Sequence, residues 1–207
     1  MANNVHFSID IDSTDEGLNS FEKALVTTKR TQTNWEGAEI QVEELADIHD
    51  LAFMPPVKGV DDHGYPIDSY QWYVDNVGAK WCNIEEWEAM HLSGYSAWSA
   101  PIGLIENMAT YIGKADPSVK ITMTYEDEFR NFVGVAVVTK DGIETVDEID
   151  GDELIALMKE HFDMSVDEEL SDEFDWFEEL EDIHGVMREP QEVMDDLVYD
   201  FFGQQQR

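Results

Sequence analysis

From Val5 to Asp12 every second side chain is apolar and the ones between are polar. A period of two puts Val5, Phe7, Ile9 and Ile11 on one face of a strand and turns the other face to water. A chain that starts this way must build a sheet with one covered face. The alternation returns at Val119, Ile121, Met123 and Tyr125, and NFVGVAVVTKDG (131–142) reads as another strand closed by a Lys-Asp-Gly turn. Helical spacing separates these stretches. In STDEGLNSFEKAL, Ser13 and Glu16 stand as a capping box before the stripe Leu18, Phe21, Ala24 and Leu25. In PIGLIENMATYIG, Pro101 suits a first helical turn, and Ile102, Ile105, Met108, Ala109 and Ile112 share one face.

The remainder is less regular. IDSYQWYVDNVG predicts a short helix stopped by Gly78. KWCNIEEWEAMHLSGYSAWS predicts strand segments from its Trp, Tyr and Ile content. Residues 30–64, with FMPPVKG and DDHGYP, read as an irregular insertion. The resulting order predicts an α+β fold over residues 1–140: a ferredoxin-like antiparallel sheet with helices packed on one face.

The blocks MANNVHFSIDI, FMPPVKG, VDNVGAKW, YSAWSAPIGLIENMA and ITMTYEDEFRNFVGV follow one another in an order that resembles the Api-ninety-two-like ferredoxin-like domain of bacteriophage and mobile-element proteins. The resemblance covers roughly residues 1–140. It departs where that family usually has Trp-Gly-Thr-Lys-Trp and this chain has Val77-Gly78-Ala79-Lys80-Trp81. It implies a phage or mobile-element origin and the same fold, and it carries over no activity or catalytic residue. An iron–sulfur cluster is excluded despite the family's name, because one cysteine cannot supply four ligands.

Residues 141–207 are expected to form an acidic helical extension of three short helices. Asp150 and Glu153 cap a first, with Leu154, Ile155, Met158 and Phe162 on one face. Ser165 and Glu168 cap a second, which Gly185 ends, and Pro190 opens a third that runs to Gly203.

Charge is where this chain departs most from an ordinary domain. It has 47 acidic and 12 basic side chains, a net −35, and residues 141–207 hold 24 of the acids with only 3 bases. Such a balance repels nucleic acid and anionic membranes and attracts basic proteins. In the second expected helix, Val166, Leu170, Phe174, Phe177 and Leu180 make an apolar arc, into which Glu173 intrudes. Glu168, Asp172, Asp175, Glu179 and Asp182 make a stripe opposite, flanked by Asp167, Glu169, Glu178 and Glu181. Like charges three or four residues apart cost ~0.2–0.5 kcal/mol per neighbouring pair. A surface built only for solubility gains more by alternating signs. A carboxylate about every 5 Å along the axis approaches the roughly 3.4 Å phosphate spacing of one DNA strand.

The expected function is therefore non-enzymatic: a phage accessory protein that mimics nucleic-acid charge and inhibits a basic host nucleic-acid-binding or defence protein. The alternative is an assembly module that pairs with itself or another phage protein, its acidity serving only to keep it in solution. Should recognition lie elsewhere than the stripe, the sheet around Trp81 and Trp98 is the other candidate.

Enzyme signatures are missing from the sequence. Six histidines are scattered without His-x-x-x-His spacing, and there is no Gly-x-Ser-x-Gly or glycine-rich phosphate loop. Cys82 reads as a buried, inert thiol. The acidic runs starting at Asp10 and Asp163 lack the glycine and the final glutamate of an EF-hand, and Asp61-Asp62-His63 is a common turn. No catalytic, cofactor or metal residues are expected. With no leader-like start and no apolar run of ~18 residues, the expected location is the cytoplasm, the host's if the chain is phage-encoded.

Overall fold

The computed structural model describes residues 3–25, 27–33, 35, 37–88, 90–129 and 131–150. In chain order the elements are β1 (Asn4–Asp12), α1 (Asp15–Glu22), β2 (Thr27–Thr33), β3 (Glu39–Leu45), a 3-10 turn (Ile48–Asp50), α2 (Ser69–Asn76), β4 (Cys82–Trp87), β5 (His91–Ala97), α3 (Ile102–Ile112), β6 (Lys120–Asp127), β7 (Phe132–Thr139) and β8 (Gly142–Asp150). The fold is α+β. Six strands form an antiparallel sheet in the order β4-β5-β1-β6-β7-β8. Strand β1 is bonded along both edges, to β5 (Asn4 opposite Ala97, Asp10 opposite His91) and to β6 (Val5 opposite Asp127, Asp12 opposite Lys120). The chain divides into two compact units, Met1–Phe129 with Val135–Val146, and Arg130–Gly134 with Asp147–Arg207. The core and the candidate surface described below belong to the first.

The core follows from the alternation. Val5, Phe7, Ile9 and Ile11 of β1, Leu92 of β5, and Ile121, Met123 and Tyr125 of β6 are all buried. The helical contribution comes from Phe21 of α1 and from Leu104, Ile105, Met108, Ala109 and Ile112 of α3. Each large side chain buried this way contributes about 1.5–3 kcal/mol. Phe53, from the stretch after the 3-10 turn, joins α1 to α3: its ring lies 5.6 Å from Phe21 and 6.4 Å from Tyr111. Two glycines allow the α2–α3 junction. Gly78 takes a φ of 89° to leave α2, and a Cβ on Gly103 would stand 2.8 Å from the Asn76 carbonyl oxygen. That close approach lets Asn107 Nδ2 donate to Asn76 O at 2.9 Å.

Three details differ from the sequence reading. The cap of α1 is Thr14, whose hydroxyl accepts from the Gly17 amide at 3.4 Å. Ser13 instead donates to Asp116 Oδ2 at 2.7 Å. Residues 30–64 are only partly irregular: β2 and β3 pair as a separate two-stranded sheet, Thr27 opposite Leu45, while 46–64 keep no strand beyond one bridge residue, Val60. The boundary expected at residue 140 falls inside the β7–β8 hairpin. Residues 142–150 form a sheet strand, since the Asp-Gly turn, with Gly142 at φ 116°, folds the chain back beside β7. The remainder of the expected extension, from 151 onward, lies outside the described residues. Among the described residues no helix is long and apolar enough to cross a membrane.

Asp116 ties the start of α1 to the α3–β6 loop. Its carboxylate accepts from Ser118 Oγ at 2.6 Å, the Thr14 amide at 2.7 Å, Ser13 Oγ at 2.7 Å and the Ser118 amide at 2.9 Å. These bonds, Ser118's hydroxyl first, hold its pKa well below the ordinary value of 3.8. A depressed folded-state pKa stabilises the fold above the unfolded value, and that stability is lost as pH falls toward the folded one. Asp116→Asn is expected to lower the thermal midpoint by several degrees at neutral pH, because an amide nitrogen would face two of the donors. Its midpoint should also fall less steeply than the wild type's below about pH 4; melting curves followed by circular dichroism across that range check both.

Candidate interaction surface

Around β1 the sheet's second face is polar, because that strand alternates. His6, Ser8, Asp10 and Asp12 occupy the positions between its core residues. The register sets their neighbours: His6 lies between Tyr95 and Glu126, Ser8 between Ser93 and Thr124, and Asp10 between His91 and Thr122, while Asp12 faces Lys120. Directly opposed residues project to the same side. His91 Nδ1 is 3.0 Å from Asp10 Oδ1, a geometry in which the ring nitrogen donates to the carboxylate. An aromatic row crosses this face. Trp81 meets Tyr95 edge to face at 5.5 Å, and Tyr95 is 6.4 Å from His6.

The turns after β5 and β6 carry two exposed rings. Trp98 is 59% exposed and Phe129 is 72% exposed. They flank the first residues of β1 on opposite sides. The Trp98 amide donates to Asn3 O at 3.0 Å, and the Glu128 amide donates to Asn4 O at 2.8 Å. Asn4 Nδ2 also donates to Glu128 Oε2 at 3.1 Å, and the Asn3 side-chain amide donates to buried Asp127, whose Oδ2 accepts from the Phe129 amide at 3.2 Å.

Trp98 has a φ of 74°, a left-handed backbone that costs a non-glycine residue ~1–2 kcal/mol. The turn tolerates it because it is fixed from several sides. Ser96 Oγ donates to Ser99 O at 2.7 Å, Ser99 Oγ donates to Gly78 O at 2.8 Å, and the Ala97 amide donates to Trp81 O at 3.0 Å. A bulky ring held at backbone cost and left largely in water is a reason to look for a binding role.

A second aromatic cluster is internal. His49 is buried among the rings of Tyr65, Trp72 and Tyr73, with Nε2 3.2 Å from the Gly64 carbonyl oxygen. Burial, then the charge of Asp47, pushes the Tyr73 hydroxyl's pKa up. This packing seats the 59–67 loop against α2. Cys82 is buried and its thiol is likewise pushed up by burial, so it is a poor nucleophile. Asp61 closes its own turn by accepting from the His63 and Tyr65 amides at 2.8 and 3.0 Å. Among the described residues no three His, Cys, Asp or Glu side chains converge as metal ligands.

The nine acidic residues expected to bind a partner, Glu168, Asp172, Asp175, Glu179, Asp182, Asp167, Glu169, Glu178 and Glu181, lie outside the described residues. Trp81 and Trp98 are linked through the backbone, where the Ala97 amide donates to Trp81 O at 3.0 Å. The sequence reading did not find Phe129, His6 or the left-handed turn. No protein-family model, curated protein or solved structure matches the chain.

The backbone conformation at Trp98 gives a direct test. Trp98→Gly and Trp98→Ala both remove the indole; the left-handed backbone favours glycine by more than its greater unfolded-chain entropy disfavours it. The glycine variant should be more stable than the alanine variant by about 1 kcal/mol, measured by urea unfolding; equal midpoints would mean that the turn is not left-handed.

Proposed function

We propose that this chain is a non-enzymatic, charge-presenting interaction protein, acting in the host-cell cytoplasm as a phage or mobile-element accessory factor. Its negative surface competes with nucleic acid for the lysines and arginines of a basic host nucleic-acid-binding or defence protein. The observation that carries this reading is the excess of 47 acidic over 12 basic side chains. The described surface fits it: Asp10, Asp12, Asp15, Glu16, Glu85, Glu86, Glu88 and Glu128 are all exposed. Exposed carboxylates in such excess draw a cationic protein in at long range and release its counterions on contact, as DNA does.

The fold reading that goes with it is a ferredoxin-like sandwich. It is supported by the order β4-β5-β1-β6, with α1 leaving β1 and α3 joining β5 to β6. On this reading the β2–β3 hairpin is an insertion, and β7 and β8 extend the sheet past β6. The likeness of residues 1–140 to the Api-ninety-two-like family supports the mobile-element origin.

The β2–β3 hairpin favours the second reading, self-association. Thr27, Thr31, Thr33, Glu39, Ile40 and Gln41 are all exposed, so residues on both faces of this ribbon meet water, and Trp35 at its tip is 92% exposed. A two-stranded ribbon is marginal in water without a covered face.

Capture from host lysate separates the two. The wild-type protein should retain a basic nucleic-acid-binding protein at low salt and lose it at moderate salt. Changing Glu168, Asp172, Asp175, Glu179 and Asp182 to Gln or Asn should abolish capture with an unchanged circular dichroism spectrum. A neutralised variant that still holds the partner contradicts the stripe's role. A salt-resistant oligomer with no captured protein supports self-association.

A further inference from the structure

We propose that residues 152–162 lie as a helix over the start of strand β7 and supply the second of its two covers. β7 differs from the other inner strands. β1 and β6 leave every second residue exposed or half-buried, whereas Val133, Gly134, Val135, Ala136, Val137 and Val138 are all buried. Successive residues of a strand point to opposite faces, so the joint burial of Val133 and Gly134 means that both faces are covered there. An unbroken apolar run belongs to a strand packed on both sides. Two faces need two layers. Helices α1 and α3 pack on each other and make one layer, which accounts for one face.

The other layer comes from the chain that follows β8. The compact unit that holds Arg130–Gly134 also holds everything from Asp147 to Arg207. β8, next to β7 in the sheet, ends at Asp150, and Gly151 lets the chain turn back at once. Helical spacing then puts Leu154, Ile155, Met158 and Phe162 on one face. At about 1.5 Å per residue this helix is about 16 Å long, the width of roughly three strands. Other occupants fit less well. A second copy brings its own net charge of −35 against the same charge, and a basic partner finds no carboxylate in VGVAVV (133–138). Docked this way, the segment fixes the acidic residues from Asp167 onward only a few positions from the sheet.

The test uses the full chain with Val133→Cys or Ile149→Cys as a reporter. Both positions are buried, and the native thiol, Cys82, is buried as well and gives the blank. Maleimide labelling of both reporters should be slow. Adding Met158→Asp and Phe162→Asp should speed labelling of at least one reporter about tenfold or more, while a cooperative thermal transition is retained. Ala156→Asp, the same charge on the opposite helical face, should leave both slow. Where the aspartates unfold the chain, Met158→Ala with Phe162→Ala makes the same comparison more gently. Labelling that is fast in the reporters alone, or that stays slow with either pair of changes, overturns the inference. Labelling that slows as protein concentration rises assigns the face to a second copy and overturns it too. None of these readings involves partner capture or salt, so the function proposed above stands or falls separately.

Discussion

Strand β1 is bonded on both edges, and its side chains alternate between the two faces of the sheet. Everything in the first unit depends on that one constraint. A slip of one residue would carry Val5, Phe7, Ile9 and Ile11 into water and bring His6, Asp10 and Asp12 into the core. The buried face fixes the register, and the register in turn decides what the other face offers. His6 meets Tyr95, Asp10 meets His91 and Asp12 meets Lys120 because the core leaves no other pairing. The polar surface is a consequence of the hydrophobic one.

The same strand connects the core to the aromatic end. Asn3 and Asn4 accept backbone bonds from Trp98 and Glu128, so the turns after β5 and β6 are anchored to the strand between them. The strained backbone at Trp98 is sustained by a turn whose serine hydroxyls and amides are committed to fixed partners. The backbone of that turn is thereby fixed from several sides. On the proposed function, the carboxylate excess acts at a distance and fades with salt.

How much of this was legible depended on whether an element had one covered face. β1, β6 and α3 bury one side, and their patterns were visible in the order of their residues. The β2–β3 hairpin has residues exposed on both sides, so Thr27 to Thr33 show no alternation to read. β8 falls beyond the boundary expected at 140 because it shows no alternation either: of its apolar residues Ile143, Val146 and Ile149, only Ile149 is buried. The acceptor at Asp116 lies about a hundred residues from Ser13, beyond any local pattern, so the capping box looked complete without it. Trp98 gave no sign of its left-handed backbone, because glycine usually takes that conformation.

On the proposed function, this protein's carboxylates compete directly with phosphodiester charge. The sharpest measurement is displacement: the captured partner is bound to labelled duplex DNA, and the purified protein is titrated in at low salt. Release of the DNA as the protein approaches the partner's concentration, with the affinity falling steeply as salt rises, is the predicted result. DNA that stays bound while the protein also binds would contradict it, since two ligands held at once do not share a site.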